Sequence, residues 1–158
     1  MTTTQNPTER LDIRPHTGAL TAALQRLEER IELDERLKLL VKLRASQING
    51  CAYCLDMHWT HAREIGESEV RLAQLTVWPE SPFFDARERA ALALADAVTL
   101  ISETHVPDDV WAEATRHFDA AEIGHLLFAI AAINAWNRIA VSVRGVPASY
   151  LAQHAEAA

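Results

Sequence analysis

Asn49-Gly50-Cys51-Ala52-Tyr53-Cys54-Leu55-Asp56-Met57-His58 carries both cysteines of a 158-residue chain. Asn-Gly is a chain-reversal signal, so the tetrad from Cys51 to Cys54 should open a helix. At about 100° per residue, Cys54 lies about 300° round from Cys51 and His58 about 340° round, so all three share one helix face. Cys54 and His58 are also an i, i+4 pair, the spacing at which helix side chains meet. A helix N-terminus offers unpaired N–H groups and a partial positive charge, which lower a thiol's pKa. His58 is then a candidate base or proton carrier for Cys54, or a counter-ion for its thiolate. In outline this is a thiol–disulfide redox site: one thiolate attacks a peroxide or a disulfide, and its neighbour displaces the product.

Helical periodicity continues on both sides of the motif. Gly18 to Ile31 reads as a first amphipathic helix. Asp34 to Ile48 reads as a second, capped by Asp34, with Leu37, Leu40, Val41 and Ile48 at helical spacing. The motif helix is expected from about Gly50 to Ile65, stopping at Gly66. Ser68 should cap a short helix to about Thr76, and Trp78-Pro79-Glu80-Ser81-Pro82 is a loop. Asp85-x-x-Glu88 predicts a capping box for a helix to about Ser102, and Pro107 suits the first turn of a helix ending near His117. Asp119-x-x-Glu122 opens the last long helix, which should reach Val143 before Arg144-Gly145-Val146-Pro147 stops it. No stretch alternates as a strand does, so the fold class is all-α. One domain is expected over residues 15–147, with a flexible N-terminal segment at 1–14 and a C-terminal tail at 148–158.

The last long helix is apolar on nearly every face between Leu126 and Val141, which implies burial all round, in the core or against another subunit. Asn134, Trp136, Asn137 and Arg138 interrupt it. They read as helix-to-helix hydrogen bonding or as part of the chemistry.

Composition narrows the class. Lys plus Arg number 15 and Asp plus Glu 22, for a net charge of −7, which argues against a nucleic-acid partner. Hydrophobic residues make up 49% of the chain, enough for a core. The first ten residues lack the basic and apolar regions of a signal peptide, and no uninterrupted apolar run approaches the roughly 20 residues of a membrane span. A cytoplasmic location is expected, where a C-x-x-C is seldom a structural staple. No Gly-rich phosphate loop points to a nucleotide, and no cofactor is expected.

Zinc is the rival reading, since Cys51, Cys54, His58 and His61 form a nominal Cys₂His₂ set. One continuous helix cannot supply all four: ten residues rise about 15 Å, whereas each zinc–ligand bond is about 2.0–2.3 Å. A three-ligand site completed from elsewhere stays open, as does a pair of buried, inert cysteines.

The segment from Leu43 to His58 (LRASQINGCAYCLDMH) resembles the active-site segment of the carboxymuconolactone decarboxylase superfamily, and more narrowly of its AhpD-like alkylhydroperoxidase branch. Asn134-Ala135-Trp136-Asn137-Arg138 is similar to that branch's downstream helix, and the likeness spans about residues 15–147. It implies an AhpD-like all-helical domain with the C-x-x-C at the start of a central helix, assembled as trimers or hexamers. It also implies hydroperoxide reduction with Cys54 attacking, Cys51 resolving the sulfenic acid and His58 assisting. An external dithiol, of thioredoxin-like or lipoyl type, would restore the thiols. The family pattern places a relay glutamate twelve residues before the first cysteine; here that position is Leu39, and Glu35, one turn earlier, is the nearest acid. A thiol sensor or adaptor, a lactone decarboxylase, a zinc module and an oligomeric scaffold are the competing functions.

Overall fold

A computed structural model describes residues 9–155 of the chain. All regular structure among them is helical. The helices are α1 (Arg14–Glu29), α2 (Glu35–Ile48), α3 (Ala52–Glu64), α4 (Glu69–Gln74), α5 (Ala86–Thr99), α6 (Ile101–Thr104), α7 (Asp108–His117), α8 (Ala120–Val143) and α9 (Ala148–Ala155), with a 3₁₀ turn at Leu75–Val77.

Short acids set the helix starts. The Asp34 carboxylate accepts the Leu37 N–H at 3.0 Å, and Asp85/Glu88 and Asp119/Glu122 form the two reciprocal capping boxes. Each such cap stabilises its helix by about 1 kcal/mol. Ser68 occupies the cap position before α4 but its side chain makes no capping bond. Instead its own N–H goes to Glu67 Oε1 at 2.8 Å. The first helix opens with a turn at Arg14 and Pro15, kinks at Thr17 (φ −125°, ψ 16°), and runs regularly from the expected Gly18. The helix expected to run to Ser102 breaks at Leu100, whose ψ of 33° is not helical.

Helix α2 is the centre of the fold, buried on several sides. Leu37 and Val41 pack with Leu94 of α5 and Leu126 and Ile130 of α8. Leu39, Leu40 and Leu43 pack with Ala62, Leu72, Leu75 and Leu92. Ala45 packs with Cys51, Cys54 and Ile133. Each fully buried leucine contributes about 1.5–3 kcal/mol of apolar transfer. A fork from Arg44 to Asp96, at 2.6 and 2.9 Å, ties α2 to α5, and Trp78 Nε1 donates to the same carboxylate at 3.2 Å.

Helix α8 is long and apolar enough to cross a membrane by length and composition. Its packing is that of a core helix, with Ile123, Leu126, Ala129, Ile130 and Ile133 buried against the domain. The burial is not complete within this chain: Phe128, Ile139 and Val141 stay exposed.

Within the described residues, both ends are tied to the domain. Residues 1–8 of the expected N-terminal segment lie outside the described residues; beyond them, the Arg10 N–H donates to Val143 O at 2.8 Å. The expected tail from 148 is helical over Ala148–Ala155. The Ser149 N–H donates to Asp56 Oδ2 at 3.1 Å and its hydroxyl to Asp56 Oδ1, so an acid of α3 receives the first turn of α9.

Candidate active site

The turn between α2 and α3 builds the site. Gly50 takes a left-handed φ of 64°, which a side chain would strain even though a Cβ there would meet nothing within 4 Å. The Cys51 N–H returns to Ser46 O at 2.9 Å. Cys51 itself is then the N-cap of α3, with extended φ and ψ of −89° and 93°, and its Sγ accepts the Cys54 N–H at 3.3 Å. The expected helix start at Gly50 thus moves to Ala52, because the first cysteine performs the capping. Both cysteines are unbridged, and they are 2% and 1% exposed.

The two sulfurs are electrostatically one group. The Cys54 thiol beside Cys51 is the largest influence lowering the Cys51 pKa from 9.0 to about 7; burial opposes it, and the Cys54 N–H, the Asn137 amide and the Tyr53 N–H add to it. Cys54 moves the other way, held protonated chiefly by donating to Cys51, and further by burial. Of the two sulfurs, Cys51 is therefore the one that ionises first, with the shared proton held on Cys54.

His58 is 6% exposed, and burial pushes it down to about 3, helped by the charges of Lys42 and His61. It is a neutral imidazole at neutral pH. Its Nε2 is buried without a hydrogen-bond partner among the described residues. The charged pairing with a Cys54 thiolate, expected from i, i+4 spacing, is replaced by a thiolate on Cys51 held by the helix start. Burial, which spacing cannot reveal, makes the difference. His61 points elsewhere: it is 45% exposed and lies 4.0 Å from Glu35 Oε1. No group of three or more His, Cys, Asp or Glu gathers as a metal site among the described residues.

A buried amide network supports the sulfurs. Asn49 Nδ2 donates to Asn134 Oδ1 and Asn137 Oδ1, both at 2.9 Å. Asn137, fully buried, donates to Ser46 Oγ at 3.1 Å, and Ser46 Oγ donates to Lys42 O at 2.8 Å. Asn49 thus fixes the Asn137 carbonyl, which turns its NH₂ group to Ser46 and the sulfurs. Asn137 lowers the pKa of both thiols. Asn134 is held by Thr99 Oγ1 and Ile130 O, and Arg138 Nη1 donates to its Oδ1 at 2.8 Å. Asn137 therefore acts on the two thiols as well as joining the helices. Two buried amides on one face of an apolar helix are the sequence signal for it.

Lys42 and Glu28 were not marked out by the sequence. Lys42 interrupts the apolar run of α2, and its Nζ lies 3.0 Å from Glu28 Oε1 of α1. Leu39, at the relay position, is 2% exposed and packs with Leu72 and Leu75. Glu35 faces outward, 2.7 Å from Lys38 Nζ. A shallow groove of about 400 Å³ lies between α3 and α9, lined by residues including Leu55, Trp59 and Tyr150, and neither sulfur opens into it.

The carboxymuconolactone decarboxylase family matches residues 16–97, which include the whole α2–α3 turn. The uncharacterized protein YdfG of Bacillus subtilis is 35% identical over 138 residues, covering 87% of this chain and 94% of its own. A crystal structure from Agrobacterium tumefaciens, of unknown function and provisionally described as the antioxidant defence protein AhpD, superposes with a TM-score of 0.85 at 42% identity, covering 89% of this chain and 98% of that one. The debrominase Bmp8 shares the fold, with a TM-score of 0.74 at 21% identity over 85% of this chain and 72% of its own. With the dithiol at the start of its motif helix and this breadth of likeness, the chain belongs to the carboxymuconolactone decarboxylase family, in its AhpD-like branch.

Proposed function

We propose that the protein is a thiol-dependent hydroperoxide reductase that cycles its Cys51–Cys54 pair between dithiol and disulfide. The observation that carries this reading is the cap: Cys51 Sγ accepts the Cys54 N–H, so the helix start holds a thiolate beside a second thiol. In the cycle, Cys54 loses its proton and its sulfur attacks one peroxide oxygen. The S–O bond forms, the O–O bond breaks, and the leaving alkoxide takes a proton to become an alcohol. The Cys51 thiolate then attacks the Cys54 sulfenic acid; the S–S bond forms, the S–O bond breaks, and the departing hydroxide takes a proton from solvent to become water. An external dithiol reduces the disulfide by exchange and is itself oxidised. Asn137 supports the thiolate, and neutral His58 is a proton carrier beside Cys54.

The antioxidant description of the Agrobacterium tumefaciens structure favours this reading. The exposed apolar residues Phe128 and Val141 of α8 suit a second copy of the chain, and the reducing cytoplasm suits the dithiol. Leu39 favours a second reading, a thiol sensor that oxidises once. Steady-state peroxide consumption with dihydrolipoamide separates the two. Many turnovers, abolished in Cys54→Ser, are expected. One stoichiometric oxidation without turnover gives the sensor, and unchanged turnover in Cys54→Ser ends the dithiol assignment.

A further inference from the structure

The chemistry proposed above moves protons inside a closed site, since Cys51, Cys54 and His58 are all at most 6% exposed. Cys54 must lose a proton before its sulfur attacks, and the leaving group must gain one. Leu39 cannot exchange a proton, and Glu35 is turned to Lys38 and His61. A carboxylate on another helix acts electrostatically on Cys54. Glu28 of α1 meets Lys42 of α2 at 3.0 Å, with side chains 22% and 8% exposed, so Glu28 is the member in touch with water. Its Oε1 is buried and has no hydrogen-bond partner among the described residues beyond the ion pair with Lys42. His58 Nε2 is a second buried atom with no partner.

The charged neighbours couple these groups. Cys54 is faced by Cys51 from the α2–α3 turn, Asn137 from α8 and Glu28 from α1; His58 is faced by Lys42 from α2 and His61 from its own helix. Glu28 therefore acts on the sulfur and Lys42 on the imidazole, while the two are paired with each other.

We propose that Glu28, ion-paired to Lys42, is the proton-exchanging carboxylate of this site, acting on Cys54 through Lys42 and His58 in the role that position 39 cannot fill. The inference rests on the reading of Cys51–Cys54 as a cycling pair. The proton leaves Cys54 Sγ as the new bond to sulfur forms, ends on the Glu28 carboxylate, and returns to the leaving group, so the carboxylate is restored. Glu28 is a positioning residue: it works through its neighbours and touches no substrate.

The test needs no peroxide. Reduced protein is mixed with a dipyridyl disulfide; one sulfur releases the first thiopyridone, and closure of the Cys51–Cys54 disulfide releases the second. In Glu28→Gln the closing phase at pH 7 should be at least about tenfold slower, a modest share of general acid–base catalysis. The alkylation midpoint of Cys54, read in a Cys51→Ser background, should fall in the same variant because a negative neighbour is gone. Slower closure from a more acidic thiol is a combination that neither packing nor simple electrostatics produces. Glu28→Asp should recover part of the rate. Closure at wild-type speed, or an unmoved midpoint, overturns the proposal. Should Glu28→Gln leave Lys42 buried, unpaired and the chain unfolded, Glu28→Gln/Lys42→Met removes both charges and must still close slowly. A wild-type protein that closes its disulfide but turns over no peroxide ends the reductase reading, while the closing rate still decides the role of Glu28.

Discussion

Cys51 Sγ accepts the backbone N–H of Cys54 at 3.3 Å, so the first cysteine of the motif is the cap of the helix that carries the second. One sulfur is placed where a helix start stabilises negative charge, and the other on the buried first turn behind it. The division of labour follows from that step in the backbone, which Gly50 makes available.

The resting thiolate is on Cys51, so limiting iodoacetamide near pH 7.5 should modify Cys51 ahead of Cys54, as read by peptide mass spectrometry. The midpoint of its alkylation should lie near 7. Cys54→Ala removes the neighbour that lowers it most and should move the midpoint up. Preferential labelling of Cys54 would contradict the charge distribution. It would restore the order in which His58 activates Cys54 directly.

Stability should follow pH through the same groups. The folded chain releases the Cys51 proton at about 7 and a free thiol does so at 9.0, so between these values the unfolded chain binds more protons. Reduced protein should therefore gain stability as pH rises from about 7 to 9 and lose that gain as pH falls through about 7. Above 9 the raised Cys54 reverses the slope, because the unfolded chain then ionises a thiol that the fold keeps protonated. On the acid side, His58 at about 3 against an ordinary 6.5 means the unfolded chain takes up a proton first, so stability falls from 6.5 downward. Urea titrations across pH check all three limbs. Cys51→Ser should erase the rise between 7 and 9 while leaving the acid limb in place.

Asn137 is a further point of leverage. Asn137→Ala leaves Asn49 Nδ2 and Ser46 Oγ each short of a partner in a buried network. The loss should cost about 1–3 kcal/mol in denaturant unfolding. It should also raise the alkylation midpoints of both cysteines, since the amide lowers both. Ser46→Ala shares the packing defect without removing the amide, and should move the midpoints less. Equal midpoints in wild type and Asn137→Ala would reduce Asn137 to a helix-packing residue.

Much of this was readable in the sequence, for physical reasons that also mark where reading fails. Asp34, Asp85-x-x-Glu88 and Asp119-x-x-Glu122 are local signals, and the structure forms all three caps. Helical arithmetic places Cys54 and His58 on one face of α3, and each is buried; Cys51 stands before the helix as its extended cap, which the arithmetic did not show. Charge on that face is a matter of depth and of distant neighbours. Neutral His58, the Asn49–Asn137–Ser46 chain and the Glu28–Lys42 pair depend on contacts between helices far apart in sequence. The helical end at Ala148–Ala155 was missed because its first turn is held by Asp56, an acid 93 residues earlier than Ser149.

Leu39 offers the sharpest comparison with the family pattern. Placing the pattern's acid there, as Leu39→Glu, puts a carboxylate where Leu72, Leu75 and Leu92 pack. The site is 2% exposed, so the change removes a buried leucine and adds a charge with no partner in that cluster. It should destabilise the chain by at least about 2–5 kcal/mol, the range for emptying a buried leucine site. Calorimetric unfolding measures the loss. Closure of the Cys51–Cys54 disulfide should not accelerate, because the proton-exchanging carboxylate already comes from Glu28. A Leu39→Glu protein that keeps wild-type stability and closes its disulfide several-fold faster would mean that side chain 39 can turn from the leucine cluster toward the sulfurs. Position 39, and not Glu28, would then exchange the proton of Cys54.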